Sequence, residues 1–130
     1  MTRLALILLH LVIGASAIGA GQALVLKPSG EALTFETEWL ENSPFPDYRV
    51  PGLFLLLVIA PTNLISAVAQ IKKHRSAPLL STGNGTLLVL WVSIQTVIIG
   101  FQHWSQTIWF VLFPLTTVLG FMQLRQKRSE

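Results

Sequence analysis

From Ser43 to Asn63 the chain reads SPFPDYRVPGLFLLLVIAPTN, passing within twenty-one residues from a proline-punctuated polar stretch into an uninterrupted apolar run. Crossing ~30 Å of hydrocarbon takes about 20 apolar residues. With no water there to satisfy backbone groups, a single segment can cross only as a helix. The stretch therefore marks where the chain enters a bilayer, and the other apolar runs must be read in the same terms.

Composition agrees with this. At 130 residues, 52% hydrophobic and only 12% charged, with a mean hydropathy of +0.60, the chain is too apolar for a soluble domain of its length. It has room for one unit of a few spans. The net charge of +3 does not point to nucleic acid, because the basic residues sit at the ends of apolar runs, where they anchor and orient spans. There are no cysteines, which removes disulfides, thiolate metal sites and cysteine redox chemistry.

The expected fold is an all-α bundle of four transmembrane helices forming a single domain over residues 1–130. The spans fall at about 4–26, 52–71, 79–100 and 106–124, with an outer loop at 27–51. The first run begins like a signal peptide but stays apolar to Leu26, past Ala15-Ser16-Ala17 and Gly21-Gln22-Ala23, and is read as an uncleaved span. Within it Ala15 and Gly19, and Ala17 and Gly21, are spaced i,i+4, the small-xxx-small pattern that lets helix backbones approach closely in lipid.

In the outer loop, Lys27-Pro28-Ser29-Gly30 is turn chemistry. Flanked by Leu24-Val25-Leu26 and Ala32-Leu33-Thr34-Phe35, it predicts a short β-hairpin, followed by a helical turn over Glu38–Asn42 capped by Thr37. Trp39, Phe45 and Tyr48 read as interfacial anchors. In the second span, Pro61 frees the carbonyl of Leu57, and Asn63 stands ready to serve a neighbouring group. The polar, glycine-rich Ser81–Thr86 admits two readings: a helix from Leu79 whose small face presses on a partner, which is preferred, or a loop lasting to Thr86. Phe101–Gln106 reads as a tight reversal, and Pro114 as a kink in the last span.

Four spans place both termini on one side. Arg3, Lys72, Lys73, Arg75, Arg125, Lys127 and Arg128 make seven basic residues on that side, against Lys27 and Arg49 on the other. The positive-inside rule then predicts a multi-pass protein of a cell's inner (plasma) membrane with both termini cytoplasmic. On that threading the sequon Asn84-Gly85-Thr86 lies inside and stays unmodified.

The segments Ser43-Pro44-Phe45 and Pro51-Gly52-Leu53, the turn Pro28-Ser29-Gly30, and Trp91 and Gln95 with Gly100 ahead of Gln106 resemble a group of small bacterial four-span integral membrane proteins. A more distant similarity to the DoxX-like proteins is one of architecture. The resemblance implies a bacterial inner-membrane location, and it brings neither an activity nor a catalytic residue.

Three groups of residues invite a functional reading. His10, the only ionisable side chain within the first span, forms with Asn63 and Asn84 a possible intramembrane polar site; such groups serve as proton carriers or ligands, or bond across to another helix. Trp91, Gln95, Gln102, His103 and Gln106 gather near the third-to-fourth reversal, where they would line an outward ligand pocket or simply form interhelical bonds and an aromatic belt. Ala15, Ala17, Gly19 and Gly21 are the helix-packing residues. No nucleophile–base pair, phosphate loop or metal-ligand cluster is present, and the acids of the outer loop match no cation-binding spacing. A non-enzyme without cofactor or metal is expected, with the lipid bilayer and a second copy or a larger membrane protein as partners. The alternative is a binding protein or carrier for a lipid or other amphipathic molecule.

Overall fold

The computed structural model describes residues 2–33, 40, 43–100 and 105–129. Four helices are long and apolar enough to cross a membrane: α1 (Thr2–Leu26), α2 (Arg49–Ile71), α3 (Ala77–Ile99) and α4 (Ser105–Ser129). Each outruns its apolar stretch, α4 most of all at its C-terminal end. Hydropathy marks only the part that must avoid water, whereas intrahelical bonding continues into the interface.

One face of each helix turns inward with the spacing of three and four that keeps a helix face on its neighbours. On α1 these residues are Leu6, His10, Ile13, Ala17, Gly21 and Leu24, and on α3 Ala77, Ser81, Asn84, Leu88 and Val92. The opposite faces carry Leu4, Leu8, Leu57, Ile65, Val97 and Val118, all exposed on the protein and solvated by acyl chains in a bilayer. Helix α1 packs along α2 and α3 along α4, and contacts of α1 with α4 and α2 with α3 close the bundle.

Both pairs are drawn together where a side chain is missing. A Cβ on Gly21 would lie 2.9 Å from the carbonyl oxygen of Gly52, joining α1 to α2 at the loop end. A Cβ on Gly120 would lie 2.7 Å from the amide nitrogen of Thr82, and one on Gly85 2.6 Å from that of Thr117, joining α3 to α4. The small face of Ser81–Thr86 is thus helical from Ala77 and seated on α4.

Pro61 is absorbed by a widened turn over Leu55–Ile59, in which the amide of Ala60 reaches back five residues to the carbonyl of Leu55. Around it, Thr62 Oγ1 donates to the carbonyl of Val58 at 2.7 Å and Asn63 Nδ2 to that of Ile59 at 2.8 Å. Helix α4 runs through Pro114 unbroken.

The expected hairpin is not found: there is no strand among the described residues. The turn does form, with Gly30 N–H bonded to the Lys27 carbonyl at 2.9 Å and Gly30 at φ 83. However, Leu24–Leu26 stays in α1 and Glu31–Leu33 winds as a single 3-10 turn. Leu24 has a better use as the seat of a small apolar cluster with Leu40 and Tyr48, so freeing it for a strand would expose all three. Tyr48 is therefore buried, at 4% exposure, instead of anchoring the chain at the interface. Its amide bonds to the Pro28 carbonyl at 2.9 Å, tying the two ends of the loop together. Asp47 Oδ1 then accepts the amide of Arg49 at 3.0 Å as α2 begins. Thr37, Trp39 and, apart from the buried Leu40, the helical turn expected over 38–42 lie outside the described residues.

Candidate functional site: a polar core shared by four helices

His10 and Asn63 lie eight residues in from Thr2 and Ile71 respectively, at the basic end of their helices. That is roughly 12 Å along each axis. Antiparallel packing puts them level, and His10 Nδ1 lies 3.0 Å from Asn63 Oδ1. Its other ring nitrogen, Nε2, lies 2.8 Å from Ser81 Oγ on α3. All three side chains are at 0% exposure.

The donor inventory fixes the direction of these bonds. Asn63 commits its amide N–H to the Ile59 carbonyl, which leaves Oδ1 to accept, so His10 carries its proton on Nδ1. Nε2 is then an acceptor and takes the Ser81 hydroxyl proton. Ser81 Oγ in turn accepts from Gln70 Nε2 at 2.9 Å. Gln70 and Gln123 exchange reciprocal amide bonds, Gln70 Nε2 to Gln123 Oε1 at 2.7 Å and Gln123 Nε2 to Gln70 Oε1 at 2.9 Å. Arg3 Nη1 closes the series by donating to the Gln70 carbonyl at 2.9 Å, where a cation also suits the C-terminal end of a helix.

One continuous chain therefore runs Gln123–Gln70–Ser81–His10–Asn63, drawing on all four helices with every step supplied by one donor and one acceptor. Among the described residues no buried side-chain nitrogen or oxygen is left without a partner. Chemically the arrangement is a clasp that holds a neutral imidazole. On its other side the bundle turns dry, filled by Ile13, Ala17, Ile59, Leu88, Val92 and Phe113.

Asn84, the third residue of the expected polar site, sits in a smaller neighbouring cluster, its amide 3.2 Å from Thr62 Oγ1 and 3.4 Å from Ser66 Oγ. Of the residues expected at an outward pocket, Trp91, Gln95 and Gln106 are described. Trp91 stacks on Phe54 with ring centroids 4.5 Å apart. Gln106 is buried and donates to the Gly100 carbonyl at 3.0 Å, holding the end of α3. Gln95 is half-buried on α3, and Gln102 and His103 lie outside the described residues. Of the packing residues, Ala17 and Gly21 are buried against the bundle, whereas Ala15 and Gly19 face outward.

Gln70, Ser81, Gln123 and Arg3 were not singled out from the sequence as site residues. Gln70 and Gln123 lie close to basic span ends, where a polar residue is ordinary. The available signal was the spacing of Asn63, Ser66 and Gln70 at i, i+3 and i+7, which lines one face of α2. Comparison with protein-family models, with curated proteins and with solved structures finds no match.

Proposed function

We propose that this protein is a small, non-catalytic interaction or scaffold component of the bacterial inner membrane, multi-pass with both termini cytoplasmic. The supporting observation is that the bundle satisfies itself inside while keeping a glycine outside for which it has no use. The polar core is closed on its own side chains. Gly19 is exposed, and a Cβ placed there would meet nothing within 4 Å. With Ala15 it leaves a shallow place on α1 between Leu11, Val12 and Ile18, all exposed, where another membrane helix can approach closely. The occupant is a second copy or a larger membrane partner. The carrier reading draws less support, since Trp91 and Gln106 are engaged within the protein.

Gly19→Leu tests the interface with little cost to the fold, because Gly19 is exposed and a Cβ there meets nothing within 4 Å. Self-association measured by energy transfer between labelled copies in liposomes, or recovery of a crosslinked membrane partner, is expected to fall about tenfold. Association that is unchanged by the leucine counts against α1 as the contact. The threading is tested separately with a reporter fused after Glu130, which is expected to be active only in the cytoplasm. A periplasmic signal would reverse the assignment of sides.

A further inference from the structure

We propose that the turn joining α2 to α3 binds the headgroup of an anionic phospholipid. Most amides of the turn are bonded within it or to the end of α2. The amides of Lys72, Lys73 and His74 bond to the carbonyls of Val68, Gln70 and Ala69 at 2.9, 3.2 and 2.9 Å, and that of Ala77 to His74 at 3.0 Å. Ser76 N–H donates to His74 Nδ1 at 3.1 Å, which leaves the ring proton on Nε2. With these amides engaged, the turn presents the side chains of Lys72 and Lys73, both exposed, to its surroundings.

Lys73 stands at φ 55, the one non-glycine residue with positive φ among those described. It occupies the left-handed position after a helix where glycine is the usual choice. A lysine held there against its backbone preference suggests that the cation is wanted at this point.

Among the described residues no acid lies at this end of the bundle. The described acids, Glu31 and Asp47, lie in the loop at the far end of the bundle, and Glu31 is itself 3.8 Å from Lys27. Arg3, which donates to the Gln70 carbonyl, lies at the same end. Exposed Ile71, Leu79 and Leu80 flank the turn on either side, so phosphate-binding and chain-binding surfaces adjoin. A free phosphate would use only the first of these, whereas a phospholipid uses both.

The test is native mass spectrometry of the full-length protein released from an equimolar mixture of phosphatidylglycerol and phosphatidylcholine with identical chains. The wild-type protein is expected to retain phosphatidylglycerol in preference, by about fivefold for each participating lysine. Lys72→Gln combined with Lys73→Gly should bring that ratio close to one without lowering the thermal midpoint, since glycine fits the left-handed position. Lys73→Asn, which also tolerates that conformation, should lose its share of the preference, and Lys73→Arg should keep it. Equal retention of the two lipids by the wild type would overturn the proposal, as would a preference that survives the double substitution. Displacement of the lipid by inorganic phosphate beyond that caused by chloride at equal ionic strength would identify a free-anion site, and would overturn it too.

Discussion

His10→Leu is expected to destabilise the bundle by about 2 kcal/mol. Hydrogen bonds between membrane helices average ~0.6 kcal/mol and reach ~1.7, and the imidazole makes two of them, to Asn63 and Ser81. Leucine removes both and strands an amide oxygen and a hydroxyl in a dry interior, where an orphaned polar group costs more than the bond it lost. The follow-up separates this cause from a packing defect. Adding Asn63→Leu and Ser81→Ala removes the stranded partners, so the triple variant should recover most of the loss. Reversible unfolding in mixed micelles by added denaturing detergent reads both values. Should His10→Leu unfold at the wild-type midpoint, the clasp would have no role in holding the four helices together.

Gly85→Ala is expected to cost a comparable amount, for a steric reason. Its Cβ would be placed 2.6 Å from the amide nitrogen of Thr117 and 2.8 Å from its Cα, and neither backbone atom can turn aside as a flexible side chain would. Helices α3 and α4 would have to separate, and overpacking of this kind costs about 1–3 kcal/mol. At Gly120 the obstacle is the amide nitrogen of Thr82 at 2.7 Å, so Gly85→Ala together with Gly120→Ala should abolish the folded bundle. Gly83→Ala is the matched control: it lies on the same helix with nothing within 4 Å of its Cβ, so it should be neutral or slightly stabilising. A Gly85→Ala protein as stable as Gly83→Ala would mean that the two helices are not in close contact.

Much of the architecture was legible because a bilayer permits so few solutions. Runs such as Leu53–Ile71, bounded by Arg49 and Lys72-Lys73, admit little but a crossing helix, and the small face at Ser81–Gly85 announced a close neighbour. The site was legible in part. His10 and Asn63 stood out as polar groups in apolar runs and proved to be bonded to each other. Gln70 and Gln123 did not stand out, since their interior position depends on how far each helix runs past its apolar stretch and on which face meets the bundle axis. Gly19 and Gly21 show the same limit. They are two residues apart and chemically identical, yet one faces outward and the other lies against Gly52 and Leu56.

The sequence by itself determined that there are four long apolar helices and which of their ends are basic, because those follow from local hydropathy and charge. Only the tertiary structure decided that the loop carries a 3-10 turn in place of a hairpin, that α3 is clamped on α4 through Gly85 and Gly120, and that five side chains from four helices join in one hydrogen-bonded chain. The physical reason is that hydrophobic transfer acts residue by residue and can be read along the chain. Hydrogen bonds and close packing act between residues up to 71 positions apart, and their partners exist only once the helices have been assembled.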